Sequence, residues 1–361
     1  MKIFIDINHP AHVHYFRNFI RKMESKGHTF IITNRNYPII NQLLDYYNID
    51  HSIRQARPTK KSKIRSIFYL IETTFTCIKK SFKYHPDLYL GFANSPCAIT
   101  GFLFHKPSIL LDDTEFNTTN HKIYKPFCST LLTPFYFKVD MGKKQIQFNA
   151  FIEQLYLHNH YFKPSSSVLE ELNLKEKEYV IIRYSAFDAH HDLAVRHVSD
   201  IVKKEIVKKI SQKYRVIISF ESIPQDDFYR PFIYSISPEK IHDLMAGARF
   251  IITEGITMAS ESFILGVPYI DINPLHVGYV DLQVEQYPEF AMQSTDASEI
   301  MKRIEILMET EIDPSAILSS IKEKTIDPTQ FLVWFVDNYP DSAFKLRRDP
   351  KIRLESNSYA I

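Results

Sequence analysis

The chain has 361 residues, 45% of them hydrophobic and 24% charged, and a formal net charge of +2. That length and balance suit two ordinary globular domains and exclude a disordered or collagen-like chain, while near-neutrality gives no electrostatic footprint for nucleic acid. Cys77, Cys97 and Cys128 have no metal-ligand spacing and form an odd set, which predicts a reducing, cytoplasmic setting. No apolar run is long enough to span a bilayer, and Met1 leads straight into a strand rather than a leader segment. Only eight glycines are present, so the Gly-rich phosphate loops of a simple dinucleotide fold are missing.

In chain order, Lys2 to Ile7 reads as an apolar strand suited to the middle of a parallel sheet. Asn8-His-Pro-Ala-His-Val-His14 follows, then a helix from about Val13 to Lys26 closed by Gly27, and a second strand from His28 to Thr33. This βαβ opening puts His9, His12 and His14 at the carboxyl edge of the first strand, where open α/β sheets bind ligands. Imidazole titrates near neutrality, so the loop predicts a general base. A metal is less favoured, since no carboxylate or cysteine sits nearby at ligand spacing. The plain alternative is that one or two of these histidines cap the helix or line its surface.

From Arg57 to Lys83 the chain is basic and aromatic. Arg57, Lys60, Lys61, Lys63, Arg65, Lys79, Lys80 and Lys83 face the single acid Glu72, with apolar residues between them. An amphipathic helix with a basic rim rests on anionic lipid, which makes 57–83 the candidate membrane face. The alternative is a core-packed helix with a solvated basic end. A strand over Pro86 to Gly91, a helix over Ser95 to Phe104 and a strand over Pro107 to Leu111 lead to Asp112-Asp-Thr-Glu115. Carboxylates at a strand's carboxyl end orient a substrate, act as a base or hold a divalent ion, and Asp112 and Asp113 are the candidates for substrate contact. Capping is the alternative role. Glu153, His158 and His160 lie in a stretch that reads as a structural connector, and Pro164 with Ser165 to Ser167 reads as a linker.

The second half opens with a strand from Tyr179 to Arg183 and the loop Arg183 to Asp192, then a helix from Arg196 to Gln212 and a strand from Arg215 to Phe220. Ser237-Pro-Glu-Lys reads as an N-cap with Pro at the first helical position. The stretch Ile251 to Pro274 reads as strand, tight turn, helix, turn, strand. Gly255 allows a sharp reversal, Ile256 to Leu265 has helical spacing, Gly266 closes the helix and Pro268 follows. The amides of Ile256, Thr257 and Met258 then stand unpaired at the positive end of a helix, a site suited to phosphate. Glu261 lies one turn further in, placed to accept hydrogen bonds from a ribose diol. The same pattern occurs in any doubly wound α/β unit. Further on, Ser294-Thr-Asp-Ala caps a helix to Glu309, Asp327 to Tyr339 is an amphipathic helix, and 341–361 reads as a flexible end.

Gly255-Ile-Thr-Met-Ala-Ser-Glu261 followed by Leu265-Gly-Val-Pro268 resembles the donor-site motif of GT-B glycosyltransferases. The chain is similar to the N-acetylglucosaminyltransferase that makes lipid II, to UDP-N-acetylglucosamine 2-epimerases, and to an uncharacterised prokaryotic family of GT-B-like proteins near surface-polysaccharide genes. The resemblance implies two Rossmann-like domains whose parallel sheets face across a cleft, with domains over 1–164 and 165–325, a helix over 326–340 crossing back, and a tail over 341–361. It also implies diphosphate at Ile256, Thr257 and Met258, ribose on Glu261, phosphate contacts from Arg183 and Ser185, a leaving diphosphate beside His190 or His191, and a base cradled by Ile236 and Ser237. His12 falls where the lipid II-forming enzyme carries its loop histidine, near the acceptor hydroxyl. Here the sequence departs from that family: Ile7-Asn-His-Pro-Ala stands in place of Gly-Gly-Thr-Gly-Gly, so a sugar or diphosphate cannot approach this backbone as closely.

The expected function is glycosyl transfer from a UDP-sugar to a saccharide or polyprenyl-linked acceptor, with no metal or cofactor, in the cytoplasm or on the inner face of the membrane. One alternative is a sugar-nucleotide 2-epimerase using Asp113 and Glu115 as acid and base, although the Arg-Pro-Glu loop of those enzymes is missing. Another is a non-catalytic sugar-nucleotide-binding protein.

Overall fold

The computed structural model describes residues 1–58, 62–185, 198–220 and 226–349. They form two compact units, one comprising Met1–Tyr161 with Thr325–Ile361 and the other Phe162–Lys324.

The first unit is built on seven strands: β1 (Lys2–Ile7), β2 (Thr29–Arg35), β3 (Ser52–Arg54), β4 (Leu88–Phe92), β5 (Ser108–Leu111), β6 (Thr130–Pro134) and β7 (Gln145–Phe148). They lie in the order β3-β2-β1-β4-β5-β6-β7, and every pairing is parallel. Ile3, Phe4, Ile5 and Ile7 have no exposed surface, as a strand covered on both faces requires. The chain runs outward from β1 to β3 and returns on the other side at β4. The crevice at that reversal lies at the carboxyl ends of β1 and β4.

The helices of this unit are α1 (Pro10–Ser25), α2 (Pro38–Tyr46), α3 (Lys63–Tyr84), α4 (Ser95–Leu103), α5 (Thr118–Tyr124) and α6 (Gln154–Leu157). Helix α1 begins earlier than its hydrophobic spacing predicts, because the extended His9 caps it: its ring nitrogen accepts the Ala11 amide and Pro10 takes the first turn. Strands β6 and β7 are a gain over the sequence reading, since a Pro at one end and alternating glutamines in the other weaken their apolar signal.

The second unit has β8 (Tyr179–Tyr184), β9 (Arg215–Phe220), β10 (Ile251–Thr253), β11 (Tyr269–Asp271) and β12 (Ala291–Gln293) in the order β12-β11-β10-β8-β9, again all parallel. Helices α7 (Ser167–Glu171), α8 (Asp200–Ile210), α9 (Ile241–Ala246), α10 (Ile256–Ile264), α11 (Gly278–Gln286), α12 (Ala297–Glu309) and α13 (Ser315–Lys324) belong to it. Val180, Ile182, Ile252, Ile270, Ile206, Ile300 and Ile304 share a buried core.

Two turn expectations are corrected. Gly255 has φ −100°, open to any residue, so no sharp reversal is needed there. Ser237 makes no side-chain cap bond, and a 3₁₀ turn over Pro238–Lys240 precedes α9. Gly266 does need glycine: its φ is +70°, and an added Cβ would come within 2.8 Å of Pro314 Cβ.

After Lys324 the chain rejoins the first unit as α14 (Pro328–Asp337), which packs on α1 and α6, and α15 (Asp341–Arg348). The segment expected to be a flexible end therefore starts as a helix, because Ala343 and Leu346 recur three apart and are buried.

Candidate functional site

In the first unit the carboxyl edge of the sheet carries a buried ionic cluster that the sequence reading passed over. Asp6, with no exposed surface, is the last residue but one of β1 and meets Arg54 of β3 at 2.7 Å and 3.0 Å. Thr33 donates to it from β2 at 2.7 Å, Asn94 from the loop after β4 at 2.9 Å, and Asn8 at 3.1 Å. Arg54 also donates to Asn8 and, at 2.6 Å, to Tyr69 of α3. Burial works against the Arg54 charge, but Asp6 outweighs it and holds the guanidinium above its usual pKa. Every polar arm is satisfied, so the cluster fixes the Asn8–His9 loop and the start of α1. A lone acid inside the apolar run Ile3 to Ile7 was its visible signal.

His12 sits on the first turn of α1 beside Phe92 and Tyr15, with ring centroids 5.0 Å and 5.9 Å away. Its Nδ1 is sealed from solvent and has no hydrogen-bond partner among the described residues. Burial first, then His9 and Arg35, push its pKa well below the ordinary imidazole value. His12 is therefore held as a neutral imidazole, while His9 is the capping histidine.

Asp112 and Asp113 separate sharply. Asp112 has no exposed surface, accepts Tyr124 OH at 2.5 Å and the Thr114 amide at 2.8 Å, and lies 3.2 Å from His121 Nε2. Those contacts tie Asp112 to α5 and to the loop that follows β5. Asp113 bonds the Thr114 hydroxyl at 2.9 Å, and burial together with the charge of Asp112 raises its pKa to about 7. The buried phenol of Tyr136 is also pushed up, by burial and then by the charges of Glu153 and Asp113. Glu115 accepts the Lys138 amide at 2.6 Å and so holds the loop after β6.

In the second unit β10 delivers Glu254 and Gly255 to the carboxyl edge. The Gly255 amide goes to Thr253 Oγ1 at 2.8 Å, and the first bond into α10 is Ala259 to the Gly255 carbonyl at 3.1 Å. The amides of Ile256, Thr257 and Met258 thus precede that bond at the helix's positive end, on half-buried residues. Glu261, 9% exposed, is oriented by His242 of α9, whose Nε2 lies 2.9 Å from Oε1.

Of the predicted phosphate contacts, Arg183 donates to Ser219 at 2.6 Å and the Ser185 amide donates to Glu254 at 2.8 Å. Glu254, 2% exposed, also meets Lys203 Nζ at 2.5 Å. Asp271 ends β11, where burial raises its pKa to about 8 against the opposing Asn273 amide and Gln293. Ile236 is half-buried and Ser237 exposed, just before the 3₁₀ turn. His190 and His191 lie outside the described residues.

A family model described as "protein of unknown function (DUF354)" matches residues 1–339. An uncharacterized protein of Methanocaldococcus jannaschii is 23% identical over 319 residues, covering 84% of this chain and 91% of that one. Among solved structures, UDP-N-acetylglucosamine 2-epimerase from Rickettsia bellii superposes with a TM-score of 0.67 at 13% identity, over 97% of this chain and 99% of that one. The M. jannaschii UDP-GlcNAc 2-epimerase in complex with UDP-GlcNAc and UDP gives 0.65 at 13%, over 90% and 99%. A glycotransferase of kitacinnamycin gives 0.57 at 11%, over 89% and 94%. These likenesses show the fold: two Rossmann-like units of the GT-B class.

Proposed function

The chain belongs to the family described as protein of unknown function (DUF354), and from its geometry we propose a metal-independent GT-B glycosyltransferase that moves a sugar from a UDP-sugar to an acceptor hydroxyl in surface-polysaccharide or glycolipid synthesis. The observation that carries the reading is the start of α10. Three amides stand at a positive helix end, and one turn on a carboxylate is held in place by His242. In this reading the amides of Ile256, Thr257 and Met258 bind the diphosphate and stabilise it as it leaves. Glu261 binds the ribose, Ile236 and Ser237 the base, and Arg183 with Ser185 the flanking phosphate oxygens. UDP is favoured because a structural relative carries UDP-GlcNAc and UDP.

In the first unit, neutral His12 takes the proton of the acceptor hydroxyl, and Asp113 orients that hydroxyl. A thermal-shift panel of UDP, GDP, CDP, CMP and ADP tests the donor half. A rise with UDP that Glu261→Ala abolishes supports it, and no rise with any nucleotide overturns it.

The acceptor is proposed to be lipid-linked, for a reason that lies in α3. Ile64, Ile67, Phe68, Ile71, Phe75 and Phe82 fall on one face at helical spacing and are 57–66% exposed. Thr73, Cys77 and Ser81 face inward and are buried. The helix thus turns its large apolar side outward, with the exposed Arg65, Lys79 and Lys83 along one flank. That arrangement fits an anionic membrane surface. Among the described residues no helix is long and apolar enough to cross a membrane. Lys60 and Lys61, also expected on this face, lie outside the described residues.

A second reading, sugar-nucleotide 2-epimerisation, is favoured by Asp113, a carboxyl poised to hold or release a proton near neutrality. Its expected partner, Glu115, is tied to the Lys138 amide.

A further inference from the structure

We propose that His158, His160 and Asp327 bind one divalent transition-metal ion, with zinc the best fit, as a structural tie within the first unit. One donor atom from each of the three lies within 4.8 Å of the others. His160 Nδ1 is 3.0 Å and His158 Nδ1 4.0 Å from Asp327 Oδ2. Donors of a tetrahedral zinc, each about 2.0–2.2 Å from the metal, stand roughly 3.3 Å apart. Binding therefore requires the donors to draw closer and His158 Nδ1 to exchange the His160 amide, which it accepts at 3.3 Å, for the ion. Two of the side chains are already held, His158 and Asp327 being 14% and 11% exposed, while the 63% exposed ring of His160 can move.

The surroundings are those of a supported ligand set. Asp327 caps α14, its Oδ1 accepting the Thr329 and Gln330 amides at 3.0 Å each, and Tyr161 OH donates to Oδ2 at 2.7 Å. Such outer contacts hold a ligating carboxylate in orientation. Two imidazoles and a carboxylate suit zinc, cobalt or nickel, are poor ligands for calcium or magnesium, and lack the sulfur that copper(I) favours. Water would complete a four-coordinate ion.

The position supplies the purpose. The first unit's opening segment ends at Tyr161 and the chain rejoins that unit at Thr325. The histidines thus lie within three residues of one crossing and the aspartate within two of the other. An ion held here closes the long loop between them, and closing a long loop removes conformational freedom from the unfolded chain. No step of the proposed reaction passes through it.

The test uses the full, tag-free chain equilibrated with zinc, freed of excess metal, and assayed for bound metal by mass spectrometry and for melting temperature with and without chelator. About one zinc per chain is expected, with a melting temperature that falls on chelation. His160→Ala should lose the zinc yet melt with the wild type in chelator, because its ring is exposed. Cobalt should give the visible absorption of a four-coordinate site in the wild type only. Absence of zinc, or equal zinc in His160→Ala, overturns the proposal. UDP binding should be the same with and without zinc, which keeps this outcome separate from that of the donor site.

Discussion

Asp113 couples proton binding to folding. An ordinary aspartate has a pKa near 3.9, and burial beside Asp112 raises this one to about 7. Between those values the native chain keeps a proton that the unfolded chain releases. Stability attributable to this group therefore falls as pH rises from about 4 to about 7, and the penalty is complete above that. Asp113→Asn, which mimics the protonated form, should melt above the wild type at pH 8, with the difference closing toward pH 4. Melting curves across that range check the sign, and a constant difference would assign the effect elsewhere. If Asp113 works on substrate as an anion, the wild-type rate should climb through pH 7 and the asparagine variant should be slow throughout. The Asp6–Arg54 pair makes a second residue-scale case. Asp6→Ala leaves a guanidinium buried without its counter-charge and should cost about 3–5 kcal/mol in urea unfolding. Thr33→Val, which removes one neutral donor to the same carboxylate, should cost about 1 kcal/mol. Part of this was legible, since an acid inside the apolar run Ile3 to Ile7 must have a partner. The partner was not, because Arg54 is 48 positions away and only the strand order brings it to Asp6.

Elements are more legible in the sequence than the surroundings of single side chains. The first strands of both halves and the strand–helix–strand at Ile251 to Ile272 follow from apolar runs and their breakers. Which glycine matters there did not follow, because sequence does not show φ. Gly266→Ala should destabilise by about 1–3 kcal/mol, from a left-handed φ and a clash with Pro314. Gly255→Ala should fold almost as well, since its Cβ would meet only Thr253 Oγ1 at 3.3 Å and Met258 Cβ at 3.9 Å. Its UDP-dependent thermal shift should shrink nonetheless, if phosphate approaches that backbone. Helix α3 shows the limit of periodicity. The 3.6-residue spacing gives an apolar face but not its direction, and the buried Cys77 and Ser81 show that it points outward. Because the apolar side chains are exposed, Phe68→Ser with Phe75→Ser should leave the melting temperature nearly unchanged while abolishing sedimentation with phosphatidylglycerol vesicles. Equal binding by wild type and variant would remove the membrane from the proposal. Loss of binding to neutral phosphatidylcholine alone would reassign the contribution of Arg65, Lys79 and Lys83.

At the scale of the molecule, two all-parallel sheets each present a different chemistry at their carboxyl ends. One presents a neutral imidazole and a near-neutral carboxyl, the other a helix start and an oriented carboxylate. The fold is common to epimerases and a glycosyltransferase, so the reaction has to be decided by the fate of hydrogen and of UDP. Epimerisation at C2 needs that carbon's proton to leave and return, and in heavy water the sugar nucleotide takes up deuterium there. Transfer by His12 acting on an acceptor hydroxyl leaves the C2 hydrogen in place and releases UDP only when acceptor is present. UDP-GlcNAc incubated in heavy water with the chain, with and without a polyprenyl-linked saccharide, separates the two by NMR. UDP release that depends on the acceptor, with no deuterium at C2, is expected. His12→Ala should reduce that release about 10²–10⁴-fold, the usual contribution of a positioned base, while the UDP thermal shift persists. Deuterium at C2 without acceptor would instead make Asp113 the proton carrier and move His12 to a packing role against Phe92. The donor half of the proposal would survive that exchange, because in either proposed reaction the diphosphate would be held at the start of α10.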